Sequence, residues 1–430
     1  MHESIASNGN PDELDPSSRH AVSTQPDVVV IGAGPSGSIA AALLKRRGWN
    51  VLVLESQRFP RFSIGESLLT HCLDFVDEAG MLPAVEAAGF QFKNGAAFVR
   101  GDEYGDFDFS DQFTAGRTST FQVQRARFDK LLADEAEKQG VEIRYEVRVT
   151  AVDLNGGAPR VRARDASGAE FEIATRFILD ASGFGRVLAR LLQLETPSSF
   201  PSRSAIFTQV EDHSASDAFD RNKVHVVVHP QHRDVWYWLI SFHDGRCSLG
   251  VVAEPEFLAR YPQDAEQRLR ALIAEEPFMT RVMQGAVWDM PVRQMGGYVA
   301  NVSAMHGNGF ALLGNAAEFL DPVFSSGITI AMRSSSVAAA VLDRQLRGEA
   351  VDWTRDFEMP LRKGVDTFRA YVRAWYDGRF QDIMFSKTQP PKIRRMICSV
   401  LAGYAWDETN PFVAEPERRL DMVAQLCKRQ

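Results

Sequence analysis

Three features of the 430-residue sequence predict an α/β fold in which a parallel sheet is joined by a second, mainly antiparallel sheet and followed by a helical C-terminal region. Residues Asp27 to Glu55 read as strand, glycine turn, helix and strand, the β-α-β unit from which parallel sheets are built. Residues 204 to 252 carry long runs of period-two alternation, as in Val224-His225-Val226-Val227-Val228 and Trp236-Tyr237-Trp238-Leu239-Ile240, the pattern of antiparallel strands. Beyond residue 346 the apolar spacing is helical, broken at Gln389-Pro390-Pro391.

The first unit carries its own chemistry. Asp27-Val28-Val29-Val30-Ile31 is a buried strand that feeds directly into Gly32-Ala33-Gly34-Pro35-Ser36-Gly37, a G-x-G-x-x-G turn. Gly32 permits the tight turn, Gly34 lets backbone approach a pyrophosphate, and Gly37 lets the next helix lie close to the sheet. That helix, Ser38 to Arg47, turns free N–H groups and a partial positive charge toward phosphates, and Pro35 and Ser36 of the turn are counted with the binding set. Gly48 ends it, Asn50 to Leu54 forms a second strand, and Glu55 falls at the carboxyl end, where it can accept hydrogen bonds from adenosine ribose hydroxyls. With the acid in place the unit reads as a Rossmann-like site for an adenine dinucleotide.

Arg58-Phe59-Pro60-Arg61-Phe62-Ser63-Ile64-Gly65-Glu66-Ser67 reads as an irregular loop leading to a helix from about Ser67, with Arg61 available to a cofactor. Residues 95 to 123 suggest strands and turns, and Arg125 stands at the start of a helix running to Lys138. Strands follow from Val141 to Tyr145, over 159 to 165 and over 170 to 179, the last ending in Asp180-Ala181-Ser182-Gly183, which brings backbone close to a ligand at the sheet edge. Helices occupy Glu254 to about Met283. Gly309 to Leu313 is a strand of the first domain, closed by Gly314-Asn315, and Asp321 to Gly327 is a turn into a helix from about Ile328 to Leu346. The expected organisation is a disordered tail over 1–26 and a discontinuous dinucleotide-binding domain over 27–65, 121–190 and 300–345. A substrate domain occupies 66–120 and 191–299, and the helical region 346–430.

A net charge of −8 argues against nucleic acid or an anionic membrane as the main partner, since either would want a basic face. No stretch has the length of a membrane-spanning helix, and the first 26 residues lack the apolar segment of a signal peptide. Cys72, Cys247, Cys398 and Cys427 lie far apart, without C-x-x-C spacing, so neither a zinc knuckle nor a disulfide framework is expected and a cytoplasmic setting is.

The first turn, Arg125, Asp180-Ala181-Ser182-Gly183 and the Gly314 to Gly327 segment together resemble the FAD-binding elements of the fold of para-hydroxybenzoate hydroxylase. The resemblance implies FAD, with the helix after Gly327 aimed at the flavin pyrimidine and Gly314-Asn315 where the family has Gly-Asp. Four segments are similar to flavin-dependent halogenases of the phenol and pyrrole branch: Phe62 to Leu69, Phe92 to Ala97, Trp236 to Ser241, and Asp321 to Gly327. The family's W-x-W-x-I-P sequence is matched at Trp236, Trp238 and Ile240 and departs at Ser241.

This resemblance implies that reduced FAD and O2 convert chloride or bromide to hypohalous acid, that Lys93 receives the oxidant, and that Trp236 and Trp238 screen the substrate from the flavin. It further implies a halide at the N–H groups of Ser326 and Gly327, and a phenolic or pyrrolic substrate, free or tethered to a carrier protein. No second G-x-G-x-x-G is present, so electrons would come from a separate flavin reductase or from docked NAD(P)H. Bland readings stand beside these: Trp236 and Trp238 as core, Lys93 as a solvated loop residue, Glu66 and Arg125 as cofactor or loop anchors. The departures at Ser241 and Asn315 support a halide-independent monooxygenase, dehydrogenase or ene-reductase as the competing enzyme, and a non-catalytic flavoprotein partner is a third reading.

Overall fold

The computed structural model describes residues 25–198, 200–214, 217–298 and 300–428. Its first sheet runs in the order His306–Gly307, Phe310–Leu312, Phe177–Asp180, Val28–Ile31, Val51–Glu55, Glu142–Tyr145. All pairs are parallel except the hairpin at the His306–Gly307 edge. Val28–Ile31 is the central strand, flanked by Val51–Glu55 on one side and Phe177–Asp180 on the other, so the chain reverses its winding there and a crevice opens at the strand's carboxyl end. All four of its residues are buried, as expected of a strand covered on both faces. The helices Pro35–Arg46 and Ser326–Leu346 pack against each other, tied by Ser36 Oγ and Ser335 Oγ at 2.8 Å.

The second sheet has seven strands in the order Arg293–Gly296, Ser204–Glu211, Arg246–Ala253, Trp236–Ser241, Lys223–Val228, Gly95–Arg100, Glu103–Asp108. It is antiparallel except where Lys223–Val228 meets Gly95–Arg100. Strand alternation divides its side chains between two cores. Tyr237 and Leu239 pack beneath the helices Ala265–Ala274 and Pro277–Val282, whereas Trp236, Trp238 and Ile240 face the larger core shared with the first sheet. The C-terminal helices follow, Met359–Tyr376 lying against Ser326–Leu346, Arg379–Met384 and Pro416–Lys428, with the break at Pro390-Pro391 in place.

Several expected boundaries move. The first helix starts at Pro35 rather than Ser38, because proline's fixed φ and missing N–H suit the first helical position. No helix begins at Ser67. Residues 66–68 are extended, with Leu68 N–H bonded to Phe121 O and Val123 N–H to Glu66 O, and the helix is Cys72–Glu78. The run 170–179 is two strands in different sheets, Glu170–Ala174 and Phe177–Asp180, separated where Thr175 and Arg176 bond back to Asp27. Arg148–Asp153 is a strand that the sequence pattern did not show, and the late helix begins at Ser326, before Ile328. Residues 1–24 of the expected tail lie outside the described residues. Cys72, Cys247, Cys398 and Cys427 are all unbridged, and among the described residues no helix is long and apolar enough to cross a membrane.

Candidate cofactor and substrate cavity

A cavity of about 540 Å³ opens between the two sheets, lined at one end by Gly34, Glu55 and Arg61 and at the other by Phe207, Trp236, Trp238 and Tyr298. The first end is built by the glycine turn. Gly32 has a φ of +96°, and a Cβ there would lie 2.7 Å from Ala181 O; a Cβ on Gly37 would lie 1.9 Å from Gly32 O. Gly32 and Gly37 are therefore required for strand, turn and helix to close on one another, while Gly34 faces the cavity with only the Arg61 guanidinium near it. Pro35 and Ser36 line the same end at the helix N-terminus, where backbone N–H groups lack helical partners.

Glu55 is buried at its strand end, its Oε2 accepting the Ala33 N–H (2.8 Å) and its Oε1 the Gln57 N–H (2.9 Å), so the carboxylate is held at the mouth of the crevice. Beside it Asp129 accepts Arg125 Nε and Nη2 (2.7 and 2.9 Å) and Arg61 Nη1 (3.0 Å). One buried carboxylate thus positions two cavity-lining guanidiniums, and Arg125 also bonds Ile64 O. Open backbone at Gly34, two guanidiniums and a carboxylate at a strand end line this part of the cavity together, the kinds of groups a dinucleotide needs.

The late segment forms the adjoining wall. Asn315, Ser325, Gly327 and Ile328 line the cavity at the start of the helix Ser326–Leu346, entered through Ser325 at a φ of +55°. Ser326 itself is buried away from the wall. Gly314 also lies behind it, where a Cβ would meet Ala331 at 2.7 Å. Asp180, expected to touch cofactor, is spent on backbone: it accepts the Ser182 and Leu188 N–H groups (2.9 and 2.6 Å), and burial raises its pKa. Ala181, Ser182 and Gly183 face the cavity in its place.

The tryptophans meet at the far end with ring centroids 6.1 Å apart. Trp236 Nε1 donates to Tyr376 OH (3.1 Å), which donates to Asp321 Oδ2 (2.8 Å), so a C-terminal helix and the turn before Ser326 hold this ring. Burial pushes the Asp321 carboxyl up to about 6. Trp238 lies over Gly250, where a Cβ would fall 2.4 Å from its ring, and Nε1 donates to Ser248 Oγ (3.1 Å). Phe207 tilts against Trp238, and Phe62 stacks on Phe207 toward solvent. Tyr376, Gly250 and Ser248 escape sequence reasoning, since each gains its role from a partner on another element.

Lys93 is not a loop residue. It ends the strand Gln91–Lys93, is 0 % exposed, and donates to Ser67 Oγ (2.8 Å) and Leu68 O (2.7 Å). It stands behind the cavity wall, with Ser67 between them. Burial, with no carboxylate paired to it, lowers its pKa to about 7. Its cross-strand neighbour Thr120 has a buried hydroxyl without a hydrogen-bond partner. Ser241 is a fully buried strand residue whose hydroxyl is likewise unpartnered.

The family model for the FAD binding domain matches residues 25–357. The chain belongs to this FAD-binding family. FAD is therefore the dinucleotide that this chain binds. The flavoprotein is 46% identical to a solved flavoprotein/dehydrogenase from Cytophaga hutchinsonii, over 94% of this chain and 99% of that one, with a TM-score of 0.91. It is 30% identical to the tryptophan 2-halogenase of Chondromyces crocatus over 75% of this chain, and spans 62% of that relative's length. It is 27% identical to the 1H-pyrrole-2-carbonyl-[peptidyl-carrier protein] chlorinase of Pseudomonas fluorescens, over 88% of this chain and 89% of that protein.

Proposed function

We propose that this FAD-dependent oxidoreductase halogenates an electron-rich phenolic or pyrrolic ring, using reduced FAD, O2 and chloride or bromide. The observation that carries the reading is Lys93: a fully buried lysine, poised near neutrality, without a carboxylate partner and one serine away from the cavity. A structural lysine in such a place would normally be paired. An unpaired amine that is neutral in part can accept an electrophilic halogen, and its ammonium form can polarise a hypohalite. The chemistry that FAD supplies when bound is the reductive activation of oxygen.

The remaining roles belong to the chain. Gly34, Pro35, Ser36, Glu55, Arg61 and Arg125 hold the dinucleotide. The first-turn N–H group of Gly327, on the cavity wall and free of a helical partner, offers a halide site, with the Ser326 N–H behind the wall beside it. Trp236 and Trp238 wall off the ring substrate and exclude water from the oxidant. The substrate is a small aromatic, tethered to a carrier protein as in the pyrrole chlorinase relative or free, and a flavin reductase or NAD(P)H delivers the electrons.

A second reading, a halide-independent dehydrogenase or monooxygenase, is favoured by Ser241 in place of the family proline and by the likeness to the Cytophaga flavoprotein/dehydrogenase. Turnover of an activated phenol with FAD, a flavin reductase, NADH and bromide separates the two by mass spectrometry. Brominated product that disappears in Lys93→Ala, with flavin reoxidation intact, is the expected result. Hydroxylation that ignores halide overturns the proposal.

A further inference from the structure

Glu66 lies in the cavity wall between Gly65 and Ser67 and is 2 % exposed. The extended backbone of its segment is held by the Val123 N–H on Glu66 O, which fixes where the side chain leaves the main chain. Gln209 Nε2 donates to Glu66 Oε1 (2.5 Å). The Ser248 hydroxyl, which already accepts the Trp238 indole N–H, has its one proton to give and interacts with the same carboxyl. Both partners are donors.

The charged and titratable groups facing Glu66 do not neutralise it. Arg125, from the helix Arg125–Lys138, is committed in bidentate fashion to Asp129 and to Ile64 O. Cys247, on the strand that carries Ser248, is held as a thiol by burial. Among the described residues no cation forms a salt bridge with Glu66. Burial accordingly pushes the carboxyl up to about 7. A carboxylic acid has one proton to donate, and with Gln209 and Ser248 both donating to this carboxyl that proton is left for an acceptor in the cavity that Glu66 lines.

We propose that Glu66 is a neutral carboxylic acid in the working protein and donates a hydrogen bond to an acceptor atom of bound FAD. FAD binding then takes up a proton wherever the unliganded acid is ionised. The inference rests on FAD binding and not on halogenation, so its failure leaves the reading of Lys93 untouched. The same carboxyl anchors Ser248 and through it the Trp238 indole, which links cofactor occupancy to the aromatic screen.

The test is FAD titration of the full-length chain, depleted of FAD, from pH 6 to 9, followed by flavin absorbance, with the release rate of the holoprotein on dilution as a second measurement. In the wild type the Kd is expected to be flat below neutrality and to rise as pH climbs, approaching about tenfold per pH unit. Calorimetry at pH 8 in buffers of different ionisation heat should register proton uptake. Glu66→Gln keeps an N–H donor and cannot titrate, so its Kd should be flat and close to the wild-type value at low pH. Glu66→Leu should be flat and weak. Circular dichroism confirms that each variant is folded. A wild-type Kd that does not change up to pH 9, or a Glu66→Gln variant that keeps the wild-type pH dependence, overturns the assignment.

Discussion

Replacing Lys93 with methionine should stabilise this protein at pH 6 while ending halogen transfer. The side chain is fully buried, its ammonium is served by Ser67 Oγ and Leu68 O, and the Phe109 ring centroid lies 5.4 Å away. Burial lowers its pKa from 10.5 to about 7, so between these values the unfolded chain holds a proton that the folded chain has released. Stability therefore rises with pH across that window, and the cost is fully present below it. At about 1.4 kcal/mol per pH unit the cost comes to roughly 5 kcal/mol at pH 6 and shrinks to about 1 kcal/mol at pH 10. Methionine matches the stem in length and leaves Leu68 O without a donor, a loss of about 1 kcal/mol. The expected balance is a gain of about 4 kcal/mol for Lys93→Met at pH 6 that vanishes by pH 10. Guanidinium denaturation of both proteins at pH 6, 8 and 10 measures it. A variant that is less stable than wild type by the same amount at every pH would refute the reasoning, because it would mean that Lys93 keeps its charge when folded.

Three further outcomes follow from the cavity walls. Gly37→Ala should abolish FAD retention and lower the melting temperature, since the added carbon would lie 1.9 Å from Gly32 O; purified protein that still carries FAD would contradict the packing argument. Gly250→Val should drive the Trp238 ring into the cavity and raise KM for the aromatic substrate far more than it changes FAD affinity, as the ring lies over that glycine; an unchanged KM would show that Trp238 is core only. Tyr376→Phe removes the donor to Asp321 and the acceptor for Trp236, costing about 1–3 kcal/mol. Its deficit in urea denaturation should be larger at pH 8 than at pH 5. The Asp321 carboxyl already titrates high at about 6, loss of the donor moves it higher still, and such a group loses stability as pH rises toward its folded pKa.

The dinucleotide end was legible in the sequence because its parts are local. Strand, glycines, helix and acid follow within thirty residues, and the turn's geometry leaves few residue types able to serve, as the clash at Gly37 illustrates. The far end was legible only in outline. Trp236 and Trp238 had to share a face of a strand, and they do, but which side of the sheet faced the cavity depended on the helices beneath Tyr237 and Leu239. Asp180 looked like a ligand because it follows an apolar strand; its carboxyl instead closes the turn by capping Ser182 and Leu188. Lys93 looked like a loop residue because two strands of three residues, Gln91–Lys93 and Thr120–Gln122, are too short to announce themselves and are nearly thirty residues apart.

The sequence by itself determined the fold class, the dinucleotide site and the residue types available for chemistry, because those follow from short-range periodicity and from turns that only glycine can make. Tertiary structure alone decided the ionisation of the chain's buried groups. Glu66 and Lys93 have ordinary acid and base chemistry in water; burial without a counter-charge brings both to about 7. That environment is assembled from Gln209, Ser248, Ser67 and Leu68, residues whose nearness to the titrating groups comes from the packing of the two sheets and the bridging segment between them, and not from their order in the chain.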